Sequence, residues 1–538
     1  MECPKFEPRL LTHVLEQEAA KSPDRLFCIH PLSLKRLSEG WRRITIGDLN
    51  NAVNNFAWWI ERSVAPKNRS RSTRLIYIGP NDIRYAIFVL ACWKLDHCAM
   101  LLAPSTSKSV TEYLLKSGDC SNLLFSSEYH QKIQEIREGF KLLQVWEVME
   151  LWSLFDKPAV AFPTGYREYH LAKEREPAIV LHSSGTTGLP KEIVFPHGYF
   201  TAVDFYRHIL VPTGRVSTLP WPIDPKVPLF LKTNLFHGTG LVVWAAAIFN
   251  GTHFVLGPDA PLTGAVLKGI LSDTGATMGL FISDTLASLG SCPEGIEALS
   301  GLTYTAFVGM PLSANIGHIL SRVTRLYSCF GLTETCCISA LQPKEPADWE
   351  YFEWNPNHPI EMRKHGEYHQ LVIPRPLGRY THCVFHVLPS ISEFCTGDLF
   401  LRHPKDEMLW KHVGREDDMT KLQNRVLLYP GPIELALEGH RFVHKTIITT
   451  NKALRAVLIV EPNWEQVGHV RLPEGLVESI WPLVQKINND LPCEAEISRG
   501  HILVATKDHP FQTTAKGTVK RRLVVQSYWE KIESLPWD

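Results

Sequence analysis

Short apolar runs punctuate this chain at intervals that suit alternating strands and helices. "RLIYIG" (74–79) and "AIVLHS" (178–183) are compact enough to be buried strands, whereas 82–95 carries apolar residues over a length only a helix fills. At the N-terminus Leu11, Val14 and Leu15 share one helical face, so an amphipathic helix is expected there. That alternation predicts an α/β fold. Near residue 414 the texture changes: "GREDDMTKLQNR" is polar, and beyond it follow further strand candidates, "AVLIVEP" (456–462) and "HILVAT" (501–506). We therefore expect a large N-terminal α/β domain, 1–413, and a small mobile C-terminal α+β domain, 414–538, joined by a polar hinge over a cleft.

Composition narrows the function more than the fold. With 538 residues the chain exceeds what one core organises, and its 56 basic and 56 acidic residues balance, so no global field draws it to nucleic acid or an acidic membrane. The longest apolar run, Leu241 to Phe249, is too short to span a bilayer, and the charged N-terminus is unlike a signal peptide. Twelve cysteines without a CxxC pair argue against a disulfide framework and against zinc, and a cytoplasmic location is the simplest expectation.

The chemistry concentrates in "HSSGTTGLPKEIVFPHG" (182–198), directly behind an apolar strand. Gly185 and Gly188 permit tight turns with inward amides, Ser183, Ser184, Thr186 and Thr187 add hydroxyls, and Lys191 adds a positive charge. Such a loop at a strand end is a phosphate cradle, though not a Walker loop, since G-x-x-x-x-G-K-[ST] is absent.

"SSGTTGLPK" resembles the phosphate loop of the AMP-forming adenylating superfamily, and further segments follow that family's order: "LFHGTGL" (235–241), "FVGMPL" (307–312), "FGLTET" (330–335), "TGDLF" (396–400), "GREDD" (414–418) and "TTAKGTVKRR" (513–522). "DWEYFEWNP" (348–356) and Lys-Gly-Thr-Val in place of the usual C-terminal Gly-Lys look closest to adenylation domains of fungal synthetase-like enzymes that lack a condensation domain. The resemblance implies that ATP and Mg2+ serve to turn a carboxylic acid into an acyl-adenylate, which is then transferred to the pantetheine thiol of a carrier domain acting in trans. An acyl-CoA or amide-forming ligase is the first alternative. A nucleotide-binding interaction module without turnover is the second.

Residue by residue, the resemblance assigns Thr186, Thr187, Gly188 and Lys191 to the β- and γ-phosphates, Thr333 to the α-phosphate, Glu334 to magnesium and Asp398 to the ribose hydroxyls. Arg415 matches a ribose and hinge contact, and Asp417 the pivot. Lys516 is expected to be the catalytic lysine, with Lys520 as its rival, because Thr518 stands at the usual lysine position. Arg425 occupies a place near the pantetheine path where the subgroup tends to have glycine. His237 is expected at the substrate, with Phe236, Gly238, Gly309 and Phe330 lining its pocket. An α-amino acid is disfavoured, because His237 stands where amino-acid-selecting domains carry an aspartate, and an ammonium buried without a counter-ion is costly. Flat apolar walls favour an aromatic or 2-oxo acid.

Overall fold

The computed structural model describes residues 7–64, 73–118, 120–140, 143–158, 160–162, 171–183, 191–219, 226–376, 382–423, 427–468, 472–513 and 519–536, with the backbone alone at 171–172, 183, 421 and 427. Two large sheets built mainly from parallel strands form its centre. The first runs in the spatial order Arg325–Ser328, Tyr304–Val308, Met278–Ile282, Leu229–Lys232, Phe254–Leu256, Leu26–Pro31 and Trp41–Thr45, parallel except for its last pair. The second runs Gln144–Glu147, Asn122–Phe125, Arg74–Ile78, Cys98–Leu101, Pro177–Ser183 and Lys191–Pro196, closed by one antiparallel hairpin.

Parallel strands covered on both faces must be apolar throughout, which is why "RLIYI" and "CAML" show no alternation. Helices Arg84–Lys94 and Gly238–Asn250 are buried nearly all round, as a helix packed between layers requires. Helix Ile46–Ser63 is instead amphipathic, burying Leu49, Val53, Phe56 and Ile60. A reciprocal pair starts it: Asp48 N donates to Thr45 Oγ1 at 3.1 Å and Thr45 N to Asp48 Oδ2 at 3.0 Å. The N-terminal helix Leu11–Lys21 buries Leu11, Val14 and Leu15 as expected. Just before it, Arg9 grips the fully buried Asp204 with two hydrogen bonds of 2.9 and 2.7 Å, pinning helix His197–Phe205.

An antiparallel third sheet, in the order Ala340–Leu341, Tyr351–Trp354, Leu409–Arg415, Glu393–Arg402, Tyr368–Pro374 and Glu361–His365, extends this body. After the turn Glu416–Asp418 the chain builds a separate three-stranded sheet, Val443–Thr450, Ala456–Pro462 and Ile502–Val504, with helices Pro430–Glu438, Glu474–Asn488 and Arg521–Glu533 and its own apolar core. Among the described residues no helix is long and apolar enough to cross a membrane, and all eleven described cysteines are free.

Histidines are packed into this interior in the neutral form. Burial holds His197 and His358 down to about 3, and His182 and His386 to about 4, from the ordinary 6.5. A base whose folded value is depressed stays neutral in the native state while the unfolded chain takes up protons below about pH 6.5, so stability is complete above that value and lost on acidification. Urea titrations are expected to show unfolding free energy falling by at least about 1.4 kcal/mol per pH unit between about pH 6.5 and 5. A flat profile there would mean that these side chains are hydrated.

Candidate active site

The segment that carries Thr333 and Glu334 is a tight turn between two-residue strands, Gly331–Leu332 paired with Cys336–Cys337. Thr335, fully buried, closes it: its Oγ1 accepts from Leu332 N at 2.9 Å and donates to the Cys336 carbonyl at 2.8 Å. Cys336 takes a left-handed conformation, φ +60°, and a Cβ on Gly331 would lie 2.3 Å from the Cys336 carbonyl oxygen, so only glycine fits there. Two buried tyrosines hold the turn from behind. Tyr199 Oη donates to the Thr333 carbonyl at 3.3 Å, and Tyr206 Oη to the Thr335 carbonyl at 3.1 Å. Thr333 and Glu334 are left half-buried at the tip.

Asp398 lies on the third sheet and is 3% exposed. Gly397 before it has φ +75°, and the register with strand Leu409–Arg415 shifts between Leu399 and Phe400. This irregularity brings two donors from the neighbouring strand onto one carboxylate: His412 Nε2 at 2.9 Å from Oδ1 and Arg415 Nη1 at 3.3 Å from Oδ2. Arg415 also reaches Asp417 at 3.6 Å. The His412 ring lies 5.7 Å from Phe330 and 5.2 Å from Phe400. Phe330 thus belongs to an aromatic cluster with Phe352, Trp354 and Phe400, ring centroids 5.4–5.7 Å away. No sequence motif singled out His412, because only the bulged register sets it beside Asp398.

The expected acid pocket begins where parallel strands end, the usual ligand position in such sheets. His237 stands at the start of helix Gly238–Asn250, and Phe236 packs on Tyr85 at 5.0 Å and on the His237 ring at 4.7 Å. Asn81 Oδ1 accepts from Leu235 N at 2.7 Å and so sets the approach to His237. A Cβ on Gly238 would meet nothing within 4 Å, whereas one on Gly240 would lie 2.3 Å from the Asn234 carbonyl oxygen: the first glycine opens space, the second allows close packing. Gly309, φ +101°, ends strand Tyr304–Val308, and Ser283 Oγ bonds the carbonyls on either side of it, Val308 and Met310.

Residues 15–354 match the AMP-binding enzyme family, and residues 417–535 its C-terminal domain. The chain belongs to the AMP-binding enzyme family. A carboxylic acid reductase of Neurospora crassa is 26% identical over 546 residues, covering 99% of this chain and 51% of its own length. An adenylate-forming reductase of Aspergillus terreus is 27% identical over 549 residues, covering 97% and 49%. The chain thus spans about half the length of these relatives. Among solved structures, the anthranilate CoA ligase AuaEII in complex with anthranoyl-AMP shares the fold with a TM-score of 0.74 at 14% identity, over 98% of this chain and 99% of that one. The O-succinylbenzoate CoA synthetase of Bacillus subtilis, in complex with ATP and magnesium, follows with 0.70 at 18%, over 96% and 99%.

In this AMP-binding enzyme Lys191 is exposed at the start of its strand, in register with Ser183. Ser184, Gly185, Thr186, Thr187 and Gly188 lie outside the described residues, as do Arg425, Lys516, Thr518 and the Ser183 side chain. The two ends of the segment around Lys516 are described and are clamped. Thr513 bridges Val519, and Lys520 N donates to the Gln512 carbonyl at 2.8 Å. On one arm Phe511 N donates to the buried Glu461 at 2.7 Å; on the other, Arg521 pairs with the buried Glu434 and donates to the Ile448 carbonyl at 2.9 Å.

The turn at 331–337 yields a direct test. Gly331→Ala is expected to lower unfolding stability by about 1–3 kcal/mol, the range for overpacking against an immovable group. Denaturant midpoints, with Gly238→Ala as the control whose Cβ has room, measure it. Equal midpoints for the two variants would show that the turn can shift.

Proposed function

We propose that this chain activates a carboxylic acid as its acyl-adenylate and passes the acyl group to the phosphopantetheine thiol of a carrier domain in trans. The observation that carries the reading is the tyrosine-held turn that presents Thr333 and Glu334, within a chain of the AMP-binding enzyme family. A carboxylate oxygen of the acid attacks the α-phosphorus of ATP; the acyl–phosphate bond forms as the bond to the pyrophosphate leaving group breaks. The thiolate then adds to the activated carbonyl and expels AMP.

Catalysis of the first step is charge stabilisation at phosphorus, which calls for aimed donors and cations. Thr333 faces the α-phosphate in this reading, Ser183, Ser184, Gly185, Thr186, Thr187, Gly188 and Lys191 cradle the outer phosphates, and Lys516 reaches the reacting oxygens. Asp398 and Arg415 hold the ribose. Among the described residues no group of three or more His, Cys, Asp or Glu side chains could hold a metal ion. A site with one carboxylate, Glu334, fits magnesium, which keeps water and nucleotide oxygens as its other ligands. Magnesium there would neutralise phosphate charge.

The chain divides in this proposal at 413/414, and the small domain turns about Asp417 between the two half-reactions. His237, Phe236, Gly238, Gly309 and Phe330 line the acid pocket in this reading, and an aromatic or 2-oxo acid suits it. The relatives named as carboxylic acid and adenylate-forming reductases support a carboxylic acid as the substrate class.

Acid-dependent exchange of labelled pyrophosphate into ATP is expected, with an absolute need for magnesium. Lys516→Ala should reduce it about 100-fold or more, while transfer from a preformed adenylate survives. Tight ATP binding without exchange across a broad panel of acids would instead identify a binding module, and the same loss from Lys520→Ala alone would move the catalytic role to that lysine.

Substrate choice is tested by matched pairs. Benzoate- or cinnamate-like acids and phenylpyruvate should exceed their α-amino counterparts at least about tenfold in kcat/KM, about 1.4 kcal/mol of transition-state binding. A preference for phenylalanine over phenylpyruvate would require an anion elsewhere in the pocket.

A further inference from the structure

Asp398 is a buried carboxylate whose partners both come from the neighbouring strand, and the two are unequal. A carboxylate offers about four lone-pair positions, so His412 and Arg415 leave about two for a ligand. Because a carboxylate only accepts, the His412 nitrogen at 2.9 Å must carry the proton. The Arg415 contact is longer, 3.3 Å, and that guanidinium is shared with Asp417 at 3.6 Å on the turn Glu416–Asp418. Among the described residues His412 pairs with no second acidic group, and its ring is packed against Phe330 and Phe400.

We propose that His412 is a positioning residue of the nucleotide site: its Nε2–H locks the Asp398 carboxylate in the orientation that accepts the 2′- and 3′-hydroxyls of a ribose. The inference rests on the reading that Asp398 takes those hydroxyls. Without this donor the carboxylate can turn about its own bond, and among the described residues only Arg415, itself tied to the turn at 416–418, opposes the rotation. His412 then keeps ribose recognition independent of the hinge, because its strand is paired on both sides, with Tyr351–Trp354 and with Glu393–Arg402.

Equilibrium binding of AMP and of 2′,3′-dideoxy-AMP, measured by calorimetry on the full chain, tests this. The wild type should prefer AMP at least about tenfold, the size of two hydrogen bonds to a charged acceptor. His412→Phe, which keeps a ring beside Phe330 and Phe400 but removes the donor, should shrink that preference at least about fivefold. His412→Gln, whose amide can reach the Nε2 position, should restore it; His412→Asn, one carbon shorter, should not. The Gln and Asn variants carry the comparison alone should His412→Phe fail to fold. Equal weakening of both nucleotides, or an unchanged preference in His412→Phe and His412→Asn, overturns the inference. Asp398→Asn separates the two levels: if it keeps the wild-type preference, the ribose reading itself fails, whereas loss in Asp398→Asn with retention in the His412 variants refutes only the role of His412.

Discussion

Tyr199 and Tyr206 reach from one buried helical segment to the carbonyl oxygens of Thr333 and Thr335, and the presentation of this turn rests on those two hydrogen bonds. A turn with a left-handed Cys336 at its end would relax if its carbonyls could seek water. Buried hydroxyls as the available donors remove that choice. The helix behind them is in turn pinned by Arg9 to Asp204, so a contact at the extreme N-terminal end of the described chain bears on residues more than three hundred positions later.

Buried carboxylates do the same work elsewhere, each answered by donors from a different strand or loop. Asp398 is held by His412 and Arg415, Glu434 by Arg521 and the Ile448 amide, and Glu461 accepts the Phe511 amide. For Glu434, burial pushes the carboxyl up while Arg521 pulls it down, with a net upward shift. An ion of this kind left alone in the interior would be strongly destabilising, so each carboxylate specifies its neighbours tightly. The consequence is a fixed geometry around Asp398 and at both ends of the segment that contains Lys516.

Glycine marks the complementary places, where the backbone must give way. Gly331 and Gly240 allow a carbonyl to approach closely, Gly397 takes a left-handed turn within strand Glu393–Arg402 and Gly309 one just past the end of Tyr304–Val308, and Gly238 leaves open space beside His237.

The apolar runs by themselves determined the class of fold, because the part of a strand covered on both faces has to be apolar: "LIYI" (75–78) could be little else. The motifs named the family, since "SSGTTGLPK", "FGLTET" and "TGDLF" occur in order along one chain. They could not show what holds those motifs. The packing of Phe330 in an aromatic cluster of the third sheet was not legible there, and His412 carried no signal at all. Tyr206 bonds a carbonyl 129 residues away, and His412 meets Asp398 only through a register shift between two strands. A hydrogen bond depends on ångström distances between groups far apart in sequence, which hydrophobic periodicity does not encode. Only the folded sheets bring those groups together.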